Sequence, residues 1–342
     1  MKQVFIGGIG AVSPAGWDLD SLRQALARAT PLPPTPLERP GWDRPLSARR
    51  VPGSAPAALN HARLRRTSPI SLFAASAALE ALGPDSQTWK DKAARLGIVM
   101  AVSVGCVQFS RRFYAETIRD PTTASPVIFP ETVFNAPASH LAAILQTAAI
   151  NYTLVGDPGA FLQALAIGAG WLLEDKADGC LVVGAEELDW LTADAERHFS
   201  RRLVCAEGAG ALYLCSAPPR APAIGVELIA ITWPHLYLNG RSRMDATRYM
   251  AAELAPPAPN TLLCDSRKGL RGQDAAETAA WAGWTGPQIS PLAILGEGLM
   301  AGAAWQCVGA VDFIQRGQYG GALVSVAGTH QQTIGASFAR VC

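Results

Sequence analysis

Apolar positions along the chain recur with two periods, one typical of strands and one typical of helices. Apolar runs rich in β-branched residues predict buried strands, and apolar residues spaced by three or four positions predict helices. The predicted strands include 4–6, 96–102 and 150–155, and the predicted helices include 18–28, 68–82, 135–145, 160–173 and 301–315. Ser68 or Thr67 is expected to cap the helix at 68–82, and the helix at 160–173 is apolar nearly all round, which predicts burial. Such alternation favours an α/β fold with sheets covered on both faces.

One pattern occurs twice. The apolar helix at 160–173 leads into a turn and the buried run Cys180-Leu181-Val182-Val183, and the helix at 301–315 leads into Ala322-Leu323-Val324-Ser325-Val326. Two such units predict a duplicated α/β chain, with an N-terminal half at 1–217 and a shortened C-terminal half at 218–342. Three prolines in 216–223 mark the junction, and eight prolines in 31–56 predict a loop-like excursion outside the core.

Composition excludes several classes of protein. The 342 residues are 49% hydrophobic and 17% charged, which rules out intrinsic disorder. A net charge of +1 without a basic stripe gives no reason to expect nucleic acid. The N-terminal segment lacks the pattern of a signal peptide, no membrane span is expected, and the seven scattered cysteines favour reduced thiols in a cytoplasm.

Neither a cofactor nor a metal is expected. The glycines at Gly8 and Gly10 are followed by Ser13, so the dinucleotide-binding fingerprint is not met, and no cysteine forms a CxxC pair.

Five segments, taken together, resemble β-ketoacyl synthases and occur in the same order as in that family. They are FIGGIGAVSPAG at the start, SPVIFPETVFNAPASHLA before INYTL, ADGCLVVGAEE at 177–187, CAEGAGALYL at 205–214 and the Asp-x-x-Glu helix start at 274–277. The resemblance covers most of the chain. It implies the thiolase-like fold, in which two pseudo-repeated α/β halves stack in five layers, and it implies an obligate dimer.

The same resemblance implies that the catalytic residues are missing. The family's nucleophilic cysteine corresponds to Pro158, its first histidine to Ser266 with Asp265 beside it, and its second histidine to Glu297. The family's lysine is absent from the stretch before Glu297. Four losses together indicate a non-catalytic copy that resembles chain length factors, which pair with an active β-ketoacyl synthase in type II polyketide systems. Those factors usually carry Gln where this chain has Pro158.

Further roles follow from the resemblance. The helix after Cys106 corresponds to a gating helix, so Phe109, Arg112 and Phe113, with Phe129 and Phe134 as weaker candidates, are predicted to close an acyl or polyketide tunnel. The alternative is plain core packing. The strand Asn151-Tyr152-Thr153-Leu154-Val155 is predicted to pair with the partner subunit. An acyl carrier protein is expected to contact the partner or an arginine-rich edge, for which the candidates are Arg49, Arg50, Arg63, Arg65 and Arg66. The alternative is a solvated surface.

Two other functions stay open. Ala101-Val102-Ser103-Val104-Gly105 resembles a nucleophile elbow, and Asp265 and His330 follow in the order that a hydrolase needs. A divergent acyltransferase or hydrolase would therefore use Ser103, or a cysteine such as Cys106 or Cys264. The remaining alternative is a pure scaffold subunit. His140 is expected to be a satisfied structural histidine, and His330 lies where the family has a phenylalanine-bearing loop.

Overall fold

The computed structural model describes residues 2–83, 94–148, 150–219 and 223–341. The strands are β1 Phe5–Val12, β2 Thr35–Leu37, β3 Leu46–Arg49, β4 Leu96–Val102, β5 Asn151–Val155, β6 Gly179–Glu186, β7 Cys205–Ala206, β8 Gly208–Cys215, β9 Val226–Ile231, β10 His235–Leu236, β11 Thr261–Cys264, β12 Gln288–Ile289, β13 Gly321–Ala327 and β14 Gln332–Arg340. The helices are α1 Leu19–Arg28, α2 Pro69–Leu82, α3 Val107–Arg119, α4 Ala136–Leu145, α5 Ala160–Leu173, α6 Trp190–Glu196, α7 Gly240–Glu253, α8 Arg271–Ala280, α9 Pro291–Leu295 and α10 Met300–Gln315. Short 3-10 turns occur at Ala57–Leu59, Ala62–Leu64 and Phe129–Glu131.

The two halves of the chain have the same strand order. In the first half the order is β5-β4-β6-β8-β1, and in the second it is β12-β11-β13-β14-β9. If only the five strands of each order are numbered, by their place in the chain, both orders read third, second, fourth, fifth, first. The directions also agree, because the first three strands of each order are parallel and the next two pair antiparallel. The predicted duplication is therefore present in the topology.

Five layers result from where the helices pack. Helix α10 contacts β1, β6 and β8 of one half and β11, β13 and β14 of the other, and α5 lies beside it. Helices α2 and α7 cover the outer faces. Small residues allow this central packing, since a Cβ at Gly210 would lie only 2.7 Å from the Ala304 Cβ. Trp305, fully buried on α10, donates its indole N–H to the carbonyls of Val12 and Ala209 at 2.9 and 3.0 Å.

The proline-rich segment is more ordered than the sequence predicts. Within 31–56, β2 and β3 form a small sheet with β7, which lies far along the chain. Leu46 and Ala48 are buried against Leu188, Ala193 and Cys205. The prediction of a loop outside any core was wrong because prolines are tolerated on edge strands. Here Pro36 lies within the edge strand β2, and the neighbouring β3 buries alternate side chains.

Two local predictions also need correction. Ser68 stands at the N-cap of α2 but makes no capping hydrogen bond. Its hydroxyl donates instead to the Glu187 carboxylate at 2.5 Å, a buried partner that outcompetes the local backbone. Helix α5 is not buried all round, since Ala166 and Leu173 are exposed. Among the described residues, no helix has both the length and the apolar character needed to cross a membrane.

The predicted division of the chain at 217/218 falls between β8 and β9. Residues 220–222 of that junction lie outside the described residues. Strands β1 and β9 adjoin through one antiparallel pair, Phe5 opposite Glu227. The exact boundary stays a prediction.

Candidate functional site

The turn from β5 into α5 holds Pro158, which the sequence resemblance predicts to stand at the family's nucleophile position. Asp157 and Pro158 are both buried. Proline has no N–H and no nucleophilic atom. The next N–H group at the start of α5, that of Gly159, donates to the Asp157 carboxylate at 3.1 Å. The end of the helix where an oxyanion would bind is therefore occupied by a carboxylate of the chain itself.

The loop between β13 and β14 holds the same carboxylate from the other side. The backbone N–H groups of Gln331 and Gln332 donate to Asp157 Oδ2 at 3.2 and 3.1 Å. The Gln332 side-chain amide donates to Oδ1 at 2.6 Å. Gly328 lies against the same group so closely that a Cβ there would collide with Oδ2. Asp157 thus ties the start of α5 to residues 328–332.

Ser266, predicted from the resemblance to stand at the family's first histidine position, is hydrogen-bonded to a buried glutamate. Its hydroxyl donates to Glu277 at 2.7 Å and accepts the Ala327 N–H at 3.0 Å. Burial raises the pKa of Glu277 to about 7, helped by the nearby Asp265 charge and opposed by hydrogen bonds from Ser325 and Ser266. Asp265 is fully buried and accepts hydrogen bonds from Arg267, Gln288 and Ser290.

Glu297, predicted from the resemblance to stand at the second histidine position, forms a buried ion pair. Its carboxylate lies 2.5 Å from Lys268 Nζ, and both side chains are almost inaccessible to solvent. Burial alone would raise the pKa of Glu297, but the Lys268 ammonium outweighs it and lowers the pKa below its usual value. Lys268 also donates to the Thr329 hydroxyl at 3.2 Å. The pair therefore contacts the same 328–332 loop that Asp157 holds.

His330 lies on this loop and faces Glu196, with the ring nitrogen 3.2 Å from the carboxylate. The Glu196 hydrogen bond raises the pKa of His330, and partial burial opposes that shift. Phe199 packs edge-on to the imidazole with ring centroids 4.5 Å apart. His330 is thus held in a side-chain cluster with Glu196 and Phe199.

These contacts join the degenerate positions into one network around 327–332. The assignment of Pro158, Asp265, Ser266 and Glu297 as degenerate catalytic positions stays a prediction. The sequence pointed to Glu277 only as part of the Asp-x-x-Glu motif, and it gave no sign of the contacts made by Lys268 and Gln332. An Asp in the turn before a helix is the one local signal for Asp157, because such residues accept backbone N–H groups. Within the described ranges, no group of three or more His, Cys, Asp or Glu is placed to hold a metal ion.

The alternative nucleophiles lie in unfavourable surroundings. Burial raises the pKa of the Cys106 and Cys264 thiols well above normal, which suppresses the reactive thiolate. Ser103 lies beside Glu186. Burial raises the pKa of Glu186 to about 8, so its carboxyl is mostly protonated at pH 7 and is a poor base. Asp265 and His330 have other hydrogen-bond partners in the described chain, and no hydrogen bond there joins either of them to Ser103.

The predicted gate residues lie at the surface and not in the core. Helix α3 has no fully buried residue. Phe109 and Arg112 line the same groove of about 600 Å³, and Phe113 packs on Phe129 with centroids 5.4 Å apart. The Phe134 ring covers Gly105, whose φ of +61° and lack of a Cβ permit that contact. Core packing therefore does not explain these aromatics.

Strand β5 is the edge of its sheet, since β4 is its one pairing neighbour among the described strands. Tyr152 and Val155 are 50% and 52% exposed. Ile150, which directly precedes β5, is also exposed, and so are Val127 and Phe129 in the segment between α3 and α4. An unpaired edge that carries large apolar side chains is a ready site for pairing with another chain.

The arginine-rich edge is only partly free. Arg49 donates to the Leu32 carbonyl at 2.6 Å, and its burial lowers the pKa of the guanidinium. Arg50 lies 3.3 Å from the Glu207 carboxylate. Arg63, Arg65 and Arg66 are exposed.

His140 contacts Glu131 at 2.9 Å, the satisfied structural arrangement expected from the sequence.

No protein-family model and no curated protein matches the sequence. Solved structures match it over nearly its whole length. A β-ketoacyl synthase from Burkholderia phymatum STM815 is 18% identical with a TM-score of 0.80, and the match covers 100% of both chains. A ketosynthase in complex with its chain length factor from Xenorhabdus doucetiae gives 14% identity and a TM-score of 0.80, over 99% of this chain and 98% of the other. The ishigamide ketosynthase/chain length factor gives 17% and 0.78, over 99% and 100%. The chain therefore has the thiolase-like α/β fold of ketosynthase structures.

Proposed function

We propose that this chain is a non-catalytic, chain-length-factor-like subunit that binds an active β-ketoacyl synthase. The partner would supply the cysteine and both histidines and carry out decarboxylative Claisen condensation of carrier-bound acyl and malonyl groups. This subunit would shape the tunnel for the growing acyl or polyketide chain at the heterodimer interface. We place the complex in the cytoplasm.

The observation that carries this proposal is the Asp157 carboxylate at the start of α5. A ketosynthase needs free N–H donors there to stabilise an oxyanion, together with a thiolate. In this chain Asp157 takes those donors, Pro158 removes another, and Glu297 is neutralised by Lys268. These contacts support the proposal that condensation takes place on another subunit.

The exposed apolar edge supports a partner. β5 offers unpaired backbone groups, and strand pairing through such groups tolerates different side chains in the two partners. The exposed aromatics of α3 and 127–134 would then be covered by the same partner and face its tunnel. Arg63, Arg65 and Arg66 remain open for an acidic carrier protein.

Co-expression with the ketosynthase encoded nearest to this chain tests the proposal. Native mass spectrometry is expected to show a one-to-one heterodimer, and the purified chain alone is expected to give no condensation of acyl and malonyl groups. Activity of the heterodimer should disappear when the partner's nucleophilic cysteine is replaced by Ala. A stable monomer or homodimer that ignores the ketosynthase would refute the proposal, and turnover by this chain alone would favour a divergent enzyme.

A further inference from the structure

A groove of about 580 Å³ lies beside the small β2-β3-β7 sheet. Its walls come from 39–47 on one side and from 193–204 on the other. Leu46 and Ala193, both buried, form part of its base and belong to the cluster that holds the small sheet to α6. Leu46 lies on β3 and Ala193 on α6, so packed elements form part of the base, and the turns before β3 and after α6 form the rest of the walls.

Five arginines line this groove. They are Arg39, Arg44, Arg197, Arg201 and Arg202. Arg39 pairs with Asp194 at 2.6 Å. The other four form no ion pair with any described residue, and none of the described lining residues is acidic. A chain of net charge +1 thus concentrates four uncompensated guanidinium groups around one concavity.

Mutual repulsion makes this arrangement unfavourable unless an anion binds there. Guanidinium groups are planar and bind phosphate oxygens through two parallel hydrogen bonds, so several arginines around a groove suit a multiply charged phosphate ligand. A groove of this volume has the size of a small-molecule site, whereas a protein partner needs about 800 Å² of surface on each side.

Trp42 adds a second recognition element. The Arg39 guanidinium carbon lies 3.7 Å from the centroid of the Trp42 ring, which fixes the indole at the groove. Trp42 nevertheless remains 61% exposed to solvent. A large aromatic held in place at a charged groove provides a surface on which a planar ring can stack.

We propose that this groove binds a small molecule with two or more phosphate groups, and that Trp42 stacks on a ring of that molecule. Arg44 would contact the phosphates from one wall and Arg197, Arg201 and Arg202 from the other. This site is independent of the partner interface, so it stands or falls separately from the proposed subunit role.

Isothermal titration calorimetry with pyrophosphate and with ADP, at 150 mM NaCl, tests the site. The double variant Arg201→Ala/Arg202→Ala is expected to bind both probes at least about tenfold more weakly than the unaltered chain. The matched control Arg63→Ala/Arg65→Ala removes two exposed arginines elsewhere and is expected to change the affinity less than about twofold. Trp42→Ala should weaken ADP binding but leave pyrophosphate binding unchanged.

Equal losses in the two double variants would mean general charge screening and would overturn the site. Binding of a polyglutamate peptide without binding of either phosphate probe would also overturn it and would assign the groove to an acidic protein. Circular dichroism melts without ligand check folding. If the double variant does not fold, Arg44→Ala, which contacts the groove from the opposite wall, repeats the test.

Discussion

Gln332 holds Asp157 through two separate donors, its backbone N–H at 3.1 Å from Oδ2 and its side-chain amide at 2.6 Å from Oδ1. Gln332, at the start of β14, thus holds the turn that begins the central helix α5 by hydrogen bonds. This contact spans the two halves of the duplicated fold. Under the proposed function, this internal carboxylate would take the place where a ketosynthase binds its substrate's oxyanion.

Replacing Asp157 by Ala is expected to destabilise the protein. The change removes the acceptor of the buried Gln332 N–H and of the partly buried Gln331 N–H, and the loss should be about 2–4 kcal/mol in the free energy of unfolding. Asp157→Asn keeps one carbonyl acceptor and should lose less. Urea denaturation measures both, with the exposed Asp245→Ala as the matched control. An Asp157→Ala variant as stable as the unaltered chain would show that the loop is held by other contacts.

Lys268→Met is expected to destabilise more strongly than most single changes. It leaves the buried Glu297 charge unpaired, at a cost of about 3–5 kcal/mol. Adding Glu297→Gln removes that charge, keeps an acceptor for the Leu299 N–H, and should recover most of the loss. Thermal and urea unfolding of the single and double variants check this, with the exposed Lys176→Met as control. No recovery in the double variant would mean that the lysine stem contributes by packing and not by charge.

The Glu297 pair also has a defined pH dependence. Because its folded pKa is lowered, the pair contributes stability above the unfolded value of about 4.3, and that contribution is lost as the pH falls through the folded pKa. In Lys268→Met this acid-side loss should vanish. An unchanged acid limb in the variant would contradict the assignment of the low pKa to Lys268.

The opposite behaviour is expected at Glu186. Burial raises its pKa to about 8, whereas the unfolded chain ionises near about 4.3. The folded state therefore retains a proton that the unfolded state has released, so stability is full below about pH 4.3 and falls as the pH rises towards 8. One such proton gives a slope of up to about 1.4 kcal/mol per pH unit.

Glu186→Gln should flatten this decline by about one proton. Urea denaturation at pH 5, 6, 7 and 8 measures the slope, and Glu174→Gln, a change at an exposed carboxylate, should leave it as it was. The pKa values of Glu187 and Glu277 are also raised, to about 7, so part of the pH dependence will remain in the variant. A slope identical to that of the unaltered chain would mean that Glu186 stays ionised in the fold.

The repeated strand–helix–strand units were predictable because their chemistry is local. The apolar runs at 96–102 and 160–173 correspond residue for residue to β4 and α5. β4 is buried along its whole length and carries no polar residue, and α5 carries only Gln163, so both apolar runs stand out in the sequence. The edge strand at 150–155 was also placed to within one residue.

Contacts between distant segments were not predictable from the sequence. Ser68 has the chemistry of an N-cap, yet its hydroxyl goes to Glu187, which only the fold brings near. Lys268 and Glu297 form a pair across two segments that no spacing rule connects. The proline-rich 31–56 segment gains its strands from β7, contributed by a later part of the chain.

The proposed partner surface predicts a specific loss of assembly. Tyr152→Asp places a charge on the exposed edge of β5 without touching the core, so the fold should persist while the heterodimer weakens by at least about tenfold. Tyr249→Asp is the matched control, because Tyr249 is exposed on the outer helix α7. Native mass spectrometry of co-expressed subunits measures both. Equal assembly of the two variants would place the interface elsewhere.

The gate prediction concerns product length. Phe109 and Phe113 lie on the exposed helix α3, and Phe113 is braced by Phe129. If the partner's tunnel ends against these rings, Phe109→Ala and Phe113→Ala should lengthen the product, because removing a packed aromatic wall opens space that the surroundings do not refill. Mass spectrometry of products from the reconstituted pair measures the chain length. Tyr114→Ala, on the same helix and 66% exposed, serves as the control.

The outcomes separate gate from scaffold. Longer products from the phenylalanine variants alone, with assembly unchanged, support a wall formed by this subunit. Unchanged length with intact assembly in all three variants would contradict the gate and leave a pure scaffold. A loss of assembly in Phe113→Ala would show that this ring contacts the partner's surface. The product length of Phe109→Ala would then test the gate, because Phe109 lines a separate groove with Arg112.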